Sequence, residues 1–194
     1  MRNTRTVILA SASRRRKEIL RKTGLKFRVE ESNYEEHAVP GLKPHELVEF
    51  HARQKARDVA GRHRNALVIA ADTIVVLKGN LYGKPRNRAE AGEMLKILSG
   101  KAHLVITGFT IIDTADSREL SGSVESKVFF KRLSMDEIKA YVRSGEPLDK
   151  AGAYGIQGLG AVLVKKIEGD FFNVVGLPLH ALAEGLKKFG VLVL

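Results

Sequence analysis

Apolar and polar positions along the chain fall into two rhythms. Short apolar runs at Thr6–Ala10, Phe27–Glu30 and Ala66–Ala71 read as strands, whereas apolar residues three and four apart read as helices. A helix is predicted over Arg14–Thr23, closed by Gly24. Pro44 opens a second, running to about Ala60, with Leu47, Val48, Ala52, Lys55 and Ala56 at helical spacing. The apolar run from Ala66 is interrupted by Asp72 and resumes as Thr73–Leu77, and Lys78-Gly79-Asn80 is a turn signal for a hairpin to Leu81-Tyr82. Asn87 followed by Glu90 marks a capped helix to about Leu98, and Ser134 followed by Glu137 marks another through Arg143. Between them lie two strand-like stretches, His103–Asp113 and Glu119–Arg132. After the glycine-rich Ala151–Gly160, strands are predicted over Ala161–Ile167 and Phe171–Val175, and Pro178 starts a final helix.

This order predicts an α/β fold with a mixed sheet, because helical crossovers favour parallel pairs and hairpins require antiparallel ones. No linker, internal repeat or low-complexity stretch interrupts it, so residues 1–194 read as a single domain. That length supports one sizeable core, with room for two lobes around a cleft.

Composition adds exclusions. With 44% hydrophobic and 28% charged residues the chain is of the ordinary globular class. The absence of cysteine excludes disulfides and thiolate zinc sites. No apolar run approaches the roughly 18 residues of a membrane span. The polar, basic N-terminus lacks the apolar stretch of a secretory signal, so no membrane association is expected and the cytoplasm is the expected compartment.

Charge changes the picture more. Thirty-three Lys and Arg against 22 Asp and Glu give +11, a balance suited to polyanions, whether nucleic acid or free nucleotide, although solvated surface accounts for part of it. Aromatic content of 6% and no Trp give little support to a base-stacking platform. The densest run, Arg14–Lys17, lies where the predicted helix begins, and cations there oppose the helix dipole by roughly 0.3–1 kcal/mol each. Helix stability alone would place acids in that turn. Ser11-x-Ser13-x-Arg15-Arg16, leaving a strand and entering a helix, instead offers backbone N–H groups, hydroxyls and guanidinium forks to a phosphate. The plainer reading makes Ser13 an N-cap and the arginines solvated.

Asp72 lies within Val68–Val76, otherwise mostly apolar. A carboxylate there needs a cation, a metal or a reacting water as partner, or else a backbone donor at a strand end. Glu35 and Glu36 could supply a hard-cation ligand or simply face solvent. Lys55 falls on the apolar face of its helix, and Lys84 precedes Pro85 at the mouth of another; lysines so placed often snorkel to the surface. Four glycines in Ala151–Gly160 imply tight turns or close backbone approach to a ligand. Gln157 within them could read a base edge or cap a turn. The stretch is no dinucleotide fingerprint, since a strand is predicted to follow it, and neither Gly83-Lys84 nor Gly100-Lys101 continues as a Walker A sequence.

Taken in order, Leu9–Arg16, Glu35-Glu36, Gln54-Lys55-Ala56, Ala71–Val75, Gly83-Lys84-Pro85 and Leu148–Gly158 resemble the Maf family of nucleoside triphosphate pyrophosphatases over nearly the whole chain. The resemblance implies a fold related to inosine triphosphate pyrophosphatases, an elongated mixed sheet with flanking helices and two lobes around a central cleft. It implies cleavage of a nucleoside triphosphate to the monophosphate and pyrophosphate, dependent on a divalent metal, Mg²⁺ or Mn²⁺. The Tyr154–Gln157 loop resembles the branch acting on dTTP and UTP; a branch acting on 7-methyl-GTP carries a Glu in that loop, absent here. By the same resemblance Asp72 corresponds to the proton acceptor, and Ser11, Arg16, Glu36, Lys55 and Lys84 to phosphate- or metal-handling positions, with Glu36 and Asp72 the metal ligands. Arg15, Thr73 and Gln157 correspond to positions that set base choice. Arg14 stands where many members have Pro, which bears on the rigidity of the loop. A homodimer would fit the family, and no stable nucleic-acid partner is expected. Other readings are the same chemistry with another base preference, or a nucleic-acid-binding or regulatory protein without catalysis.

Overall fold

The computed structural model describes residues 5–37 and 39–193. Seven strands form one sheet in the order β2-β1-β3-β5-β6-β7, with β4 paired to β3. The strands are β1 Thr6–Leu9, β2 Phe27–Val29, β3 Ala66–Leu77, β4 Asn80–Tyr82, β5 Ala102–Asp113, β6 Glu119–Phe130 and β7 Val164–Glu168. The helices are α1 Arg14–Arg21, α2 Pro44–Ala60, α3 Arg88–Leu98, α4 Met135–Arg143, α5 Phe171–Val175 and α6 Leu179–Lys187. β1 runs parallel to both β2 and β3, with Leu9 opposite Val29 and Ile69. β3 and β4 form the expected hairpin, Val75 opposite Tyr82, and β6 and β7 are also antiparallel. The sheet is therefore mixed, as the hydrophobic pattern implies. Among the described residues no helix is long and apolar enough to cross a membrane.

The described chain divides into two compact units. One contains the chain up to Asp72, Thr107–Val124 and the stretch from Gly176 onward; the other contains Thr73–Ile106 and Glu125–Val175. The core of the first joins Ile8 and Ala10 of β1, Val68 and Ala70 of β3, and Ala56 and Val59 of α2. The core of the second gathers Leu95 and Leu98 of α3, Ile138 and Tyr141 of α4, and Phe130, Tyr154 and Leu163.

Helix starts follow the capping signals. Ser134 accepts from the Glu137 N–H while the Glu137 carboxylate accepts from the Ser134 N–H, a full capping box. Asn87 accepts from the Glu90 N–H at 2.9 Å, but the Glu90 carboxylate turns to the Arg86 N–H instead. At α2, Pro44 takes the first helical position and Glu46 accepts from the Lys43 N–H at 2.8 Å.

Three expectations need correction. Asp72 does not interrupt its strand: β3 runs unbroken from Ala66 to Leu77. The strand predicted from Ala161 begins at Val164, after a 3-10 turn over Leu159–Leu163. Phe171–Val175 is a short helix, started where Asp170 accepts from the Phe172 N–H at 2.7 Å. An Asx turn of this kind overrides the β propensity of Phe and Val.

α2 lies against β5 so closely that a Cβ on Gly108 would sit 2.5 Å from the Val48 carbonyl carbon and 2.6 Å from the Glu49 nitrogen. Both are backbone atoms, which cannot swing aside. Gly108→Ala is therefore expected to lower the unfolding free energy by about 1–3 kcal/mol, the usual cost of overpacking, read from the urea midpoint. An unshifted midpoint would contradict this packing.

Candidate active site

The basic turn at the start of α1 separates into distinct roles. Ser13 is the N-cap, accepting from the Arg16 N–H at 3.4 Å, and no acidic residue lies in the first turn. Ser11, buried at the end of the β1 segment, accepts from the Ser13 N–H at 3.2 Å. Arg16 leans inward and donates from Nε to the Gly176 carbonyl at 2.7 Å. Burial holds its pKa below the usual value, against the pull of Asp72 and then Glu36, while Arg15 adds to the lowering. An arginine stays protonated at neutral pH nonetheless. It is thus a fixed cation facing the two carboxylates that the sequence singles out.

Those carboxylates meet at Lys55. Its Nζ lies 2.6 Å from Asp72 Oδ1 and 2.5 Å from Glu36 Oε1. Asp72 is only 7% exposed, in the middle of β3, so the ammonium supplies the partner that its burial demands. α2 places Lys55 there because Val48, Ala52, Ala56 and Val59 bury the same side of the helix. Lys55 does not snorkel: its side chain is 12% exposed.

The irregular segment carrying Glu36 is fastened to α2 at further points. Asp58 accepts from the Ser32 hydroxyl at 2.9 Å and from the Asn33 N–H at 2.7 Å. The Tyr34 hydroxyl and His51 Nδ1 share a 3.0 Å hydrogen bond. His51, Lys55 and Asp58 fall at positions i, i+4 and i+7 of α2, one stripe of the helix. Burial pushes the Tyr34 phenol up, reinforced by Asp72 and Glu36, so it keeps its proton. Burial lowers His51 despite the same two carboxylates, with Lys55 and His37 adding to the lowering, so its ring is neutral at pH 7. Sequence reasoning passes over Tyr34 and His51. The available signals are the place of Tyr34 beside the acidic pair and of His51 one turn before Lys55.

Two carboxylates on one ammonium suit a divalent cation that takes one or two protein carboxylates and completes its shell with phosphate oxygens and water. Among the described residues no group of three or more His, Cys, Asp or Glu is arranged to hold a metal ion, so the substrate would have to supply the remaining ligands.

The other unit holds the remaining candidates. Thr73 is half-buried on β3, and Lys84 is exposed ahead of α3. Gln157 is exposed in the glycine-rich stretch, which is built of 3-10 turns over Ala151–Ala153 and Leu159–Leu163. Its neighbour Tyr154 is buried, and its hydroxyl shares a 2.8 Å hydrogen bond with His103 Nε2. Phe130 meets both rings edge-on. The structure therefore brings Arg16, Glu36, Lys55 and Asp72 into one electrostatic group within the first unit, and Thr73, Lys84 and Gln157 belong to the second.

The sequence model of the Maf-like protein family matches residues 6–189. The chain belongs to the Maf family. Its relatives include a Methanosarcina barkeri protein, 53% identical over 96% of this chain and 95% of the relative, named dTTP/UTP pyrophosphatase. A Methanococcoides burtonii protein of the same name is 52% identical over 96% of each chain. One from Pelotomaculum thermopropionicum, again so named, is 48% identical over 97% of this chain and 98% of its own. The mixed α/β sheet with flanking helices agrees with the family fold.

A buried histidine of the second unit of this Maf chain has a stability consequence of its own. His103 is 2% exposed, and burial lowers its pKa from 6.5 to about 4. Its Nδ1 has no hydrogen-bond partner among the described residues. The unfolded chain binds a proton near pH 6.5 that the folded chain refuses until about pH 4. Folding therefore gains from the neutral ring above pH 6.5, and the gain is lost as the pH falls from 6.5 towards 4. The full difference amounts to about 3 kcal/mol. Between pH 7 and 4.5 the unaltered protein should lose about 2–3 kcal/mol more unfolding free energy than His103→Gln, by urea titration at each pH. Parallel losses in the two proteins would refute the assignment.

Proposed function

We propose that this protein hydrolyses dTTP and UTP to the monophosphate and pyrophosphate. The reading is carried by Asp72, buried mid-strand and held on Lys55 together with Glu36. Support comes also from relatives about half identical over nearly the whole chain that are named dTTP/UTP pyrophosphatase. A buried carboxylate with an ammonium partner and a second carboxylate beside it suits water activation at a phosphate ester better than nucleic-acid binding, which needs no such group.

In the proposed reaction a water oxygen forms a bond to the α-phosphorus while the bond from that phosphorus to the α,β-bridging oxygen breaks. The electron pair of the broken bond leaves with pyrophosphate, and the water proton passes to the Asp72 carboxylate. Lys55 and Arg16 supply fixed positive charge for the phosphoryl oxygens, where preorganised cations stabilise the transition state most effectively. Lys84 is assigned to the phosphates on the same chemistry. Asp72 and Glu36 would hold a divalent cation, Mg²⁺ or Mn²⁺, which when bound offsets charge on the triphosphate and the leaving group. Thr73 and Gln157 are assigned to the pyrimidine through hydrogen bonds, with Arg15 supporting the nucleoside end and Ser11 holding the turn that presents Arg16.

Asp72→Asn keeps the shape and removes the basic oxygen. Turnover of dTTP should fall at least about 100-fold, while calorimetry still detects nucleotide binding. Pyrophosphate release across dTTP, UTP, CTP, ATP, GTP and 7-methyl-GTP, with Mg²⁺ or Mn²⁺, checks both chemistry and base choice. A near-unchanged rate in Asp72→Asn would overturn the proton-acceptor role, and no release from any nucleotide by the unaltered protein would overturn the function.

A further inference from the structure

The four glycines of Ala151–Gly160 suggest backbone closing on a ligand, and the backbone does close on an anion. The anion belongs to the chain itself. Glu146 opens the 3-10 turn Glu146–Asp149, just after α4. Its Oε2 accepts from the Leu159 N–H at 2.8 Å, and its Oε1 from the Gly160 N–H at 3.1 Å. Oε1 also accepts from the Tyr141 hydroxyl at 2.9 Å. The Tyr141 oxygen in turn accepts from the Gly155 N–H at 3.0 Å. Residues 155–160 are thus tied at both ends to one carboxylate, through Tyr141 at Gly155 and directly at Leu159 and Gly160. Gln157 is the exposed middle of the segment so held.

The glycines give this carboxylate its room. A Cβ on Gly158 would run into the Glu146 carboxylate, and one on Gly160 would come 2.6 Å from the Tyr141 hydroxyl oxygen. The backbone N–H bonds hold the Glu146 carboxyl below the usual carboxylate range even though burial alone would raise it, with Tyr141 and Lys150 helping. It therefore remains an acceptor throughout the neutral range.

We propose that Glu146, relayed by Tyr141, is a positioning residue that fixes Gln157 for recognition of the pyrimidine base. This rests on the reading of Gln157 as a base-contacting residue under the proposed function. A single side-chain amide discriminates base edges only if its backbone is held to a fraction of an ångström, because a loose loop forfeits the hydrogen bond to ordering entropy. Charge-assisted bonds from backbone N–H groups are about twice as strong as neutral ones and come from donors without side-chain freedom. Glu146 touches no reacting atom in this scheme; it acts through the loop.

The test is Glu146→Gln, which keeps the shape but turns an amide NH₂ towards a backbone donor, with Tyr141→Phe as the milder second variant. For Glu146→Gln the KM for dTTP should rise about tenfold with kcat within about twofold, the pattern of lost uniform binding. The preference for dTTP over dCTP should shrink by a similar factor. Tyr141→Phe should shift both in the same direction by less, and Glu146→Asp should recover part of the loss. Hydrogen exchange at Leu159 and Gly160 supplies a readout independent of turnover, and should quicken at least about tenfold in Glu146→Gln. Unchanged KM, base preference and exchange in both variants, with the unaltered protein hydrolysing dTTP, would overturn the positioning role alone. A uniform fall in kcat for every nucleotide, with base preference intact, would also overturn it. Absence of hydrolysis by the unaltered protein would overturn the proposed function and this role with it.

Discussion

The carboxylate of Asp72 sets the constraint around which the first unit is organised. A charge 7% exposed in the centre of a strand cannot stand alone, since desolvation costs several kcal/mol without a partner. The partner is Lys55, and its delivery explains much of the local architecture. α2 must lie close to the sheet for a lysine to reach β3, and Gly108 removes the side chain that would hold it off. Asp58 and His51 then fasten the segment that brings Glu36 to the same ammonium. A strand, a helix and an irregular segment are thereby fixed relative to one another by one buried charge and what it requires.

Much of this was legible in the sequence, for reasons that differ by residue. The break in hydrophobicity at Asp72 is visible because eight neighbours in Val68–Val76 make a polar residue conspicuous. The run did not reveal that β3 would pass through Asp72 unbroken, because a lone carboxylate in an apolar stretch looks the same at a strand end. Helix starts at Ser134 and Asn87 were readable from short-range capping chemistry. Phe171–Val175 misleads because its composition favours a strand, while the turn that winds it into a helix is set by Asp170, which lies outside the stretch and accepts from the Phe172 and Val174 N–H groups. His51 and Tyr34 were hidden for another reason. Each is unremarkable alone, and their bond spans residues 34 and 51, a separation that no periodicity encodes.

The arginines of the first turn of α1 show where a physical anomaly was informative and where it was not. Placing three basic residues against the helix dipole is unfavourable for each, and Arg16 is drawn inward, to the Gly176 carbonyl and the field of Asp72 and Glu36. Ser13 proves to be the N-cap that the plainer reading gave it, and Ser11 braces the same turn. The basic run thus joins a structural cap at Ser13 to a cation, Arg16, held in the field of Asp72 and Glu36.

Two acidic residues, Asp72 and Glu146, illustrate how the kind of donor decides what a carboxylate can do. Glu146 is held by two backbone N–H groups and a buried tyrosine, donors that cannot leave without unfolding the segment they belong to. A carboxylate in that setting is pinned in its ionised form and serves geometry. Asp72 is held by an ammonium at the end of a flexible chain, whose three donors can be shared with an incoming phosphate oxygen while the Lys55 backbone stays in place. The Lys55 ammonium can therefore move away from Asp72 without disturbing the backbone, a change that the fold permits at one carboxylate and forbids at the other. Had the two donor sets been exchanged, Asp72 would be locked among backbone donors, and the glycine-rich loop would hang from a side chain free to move.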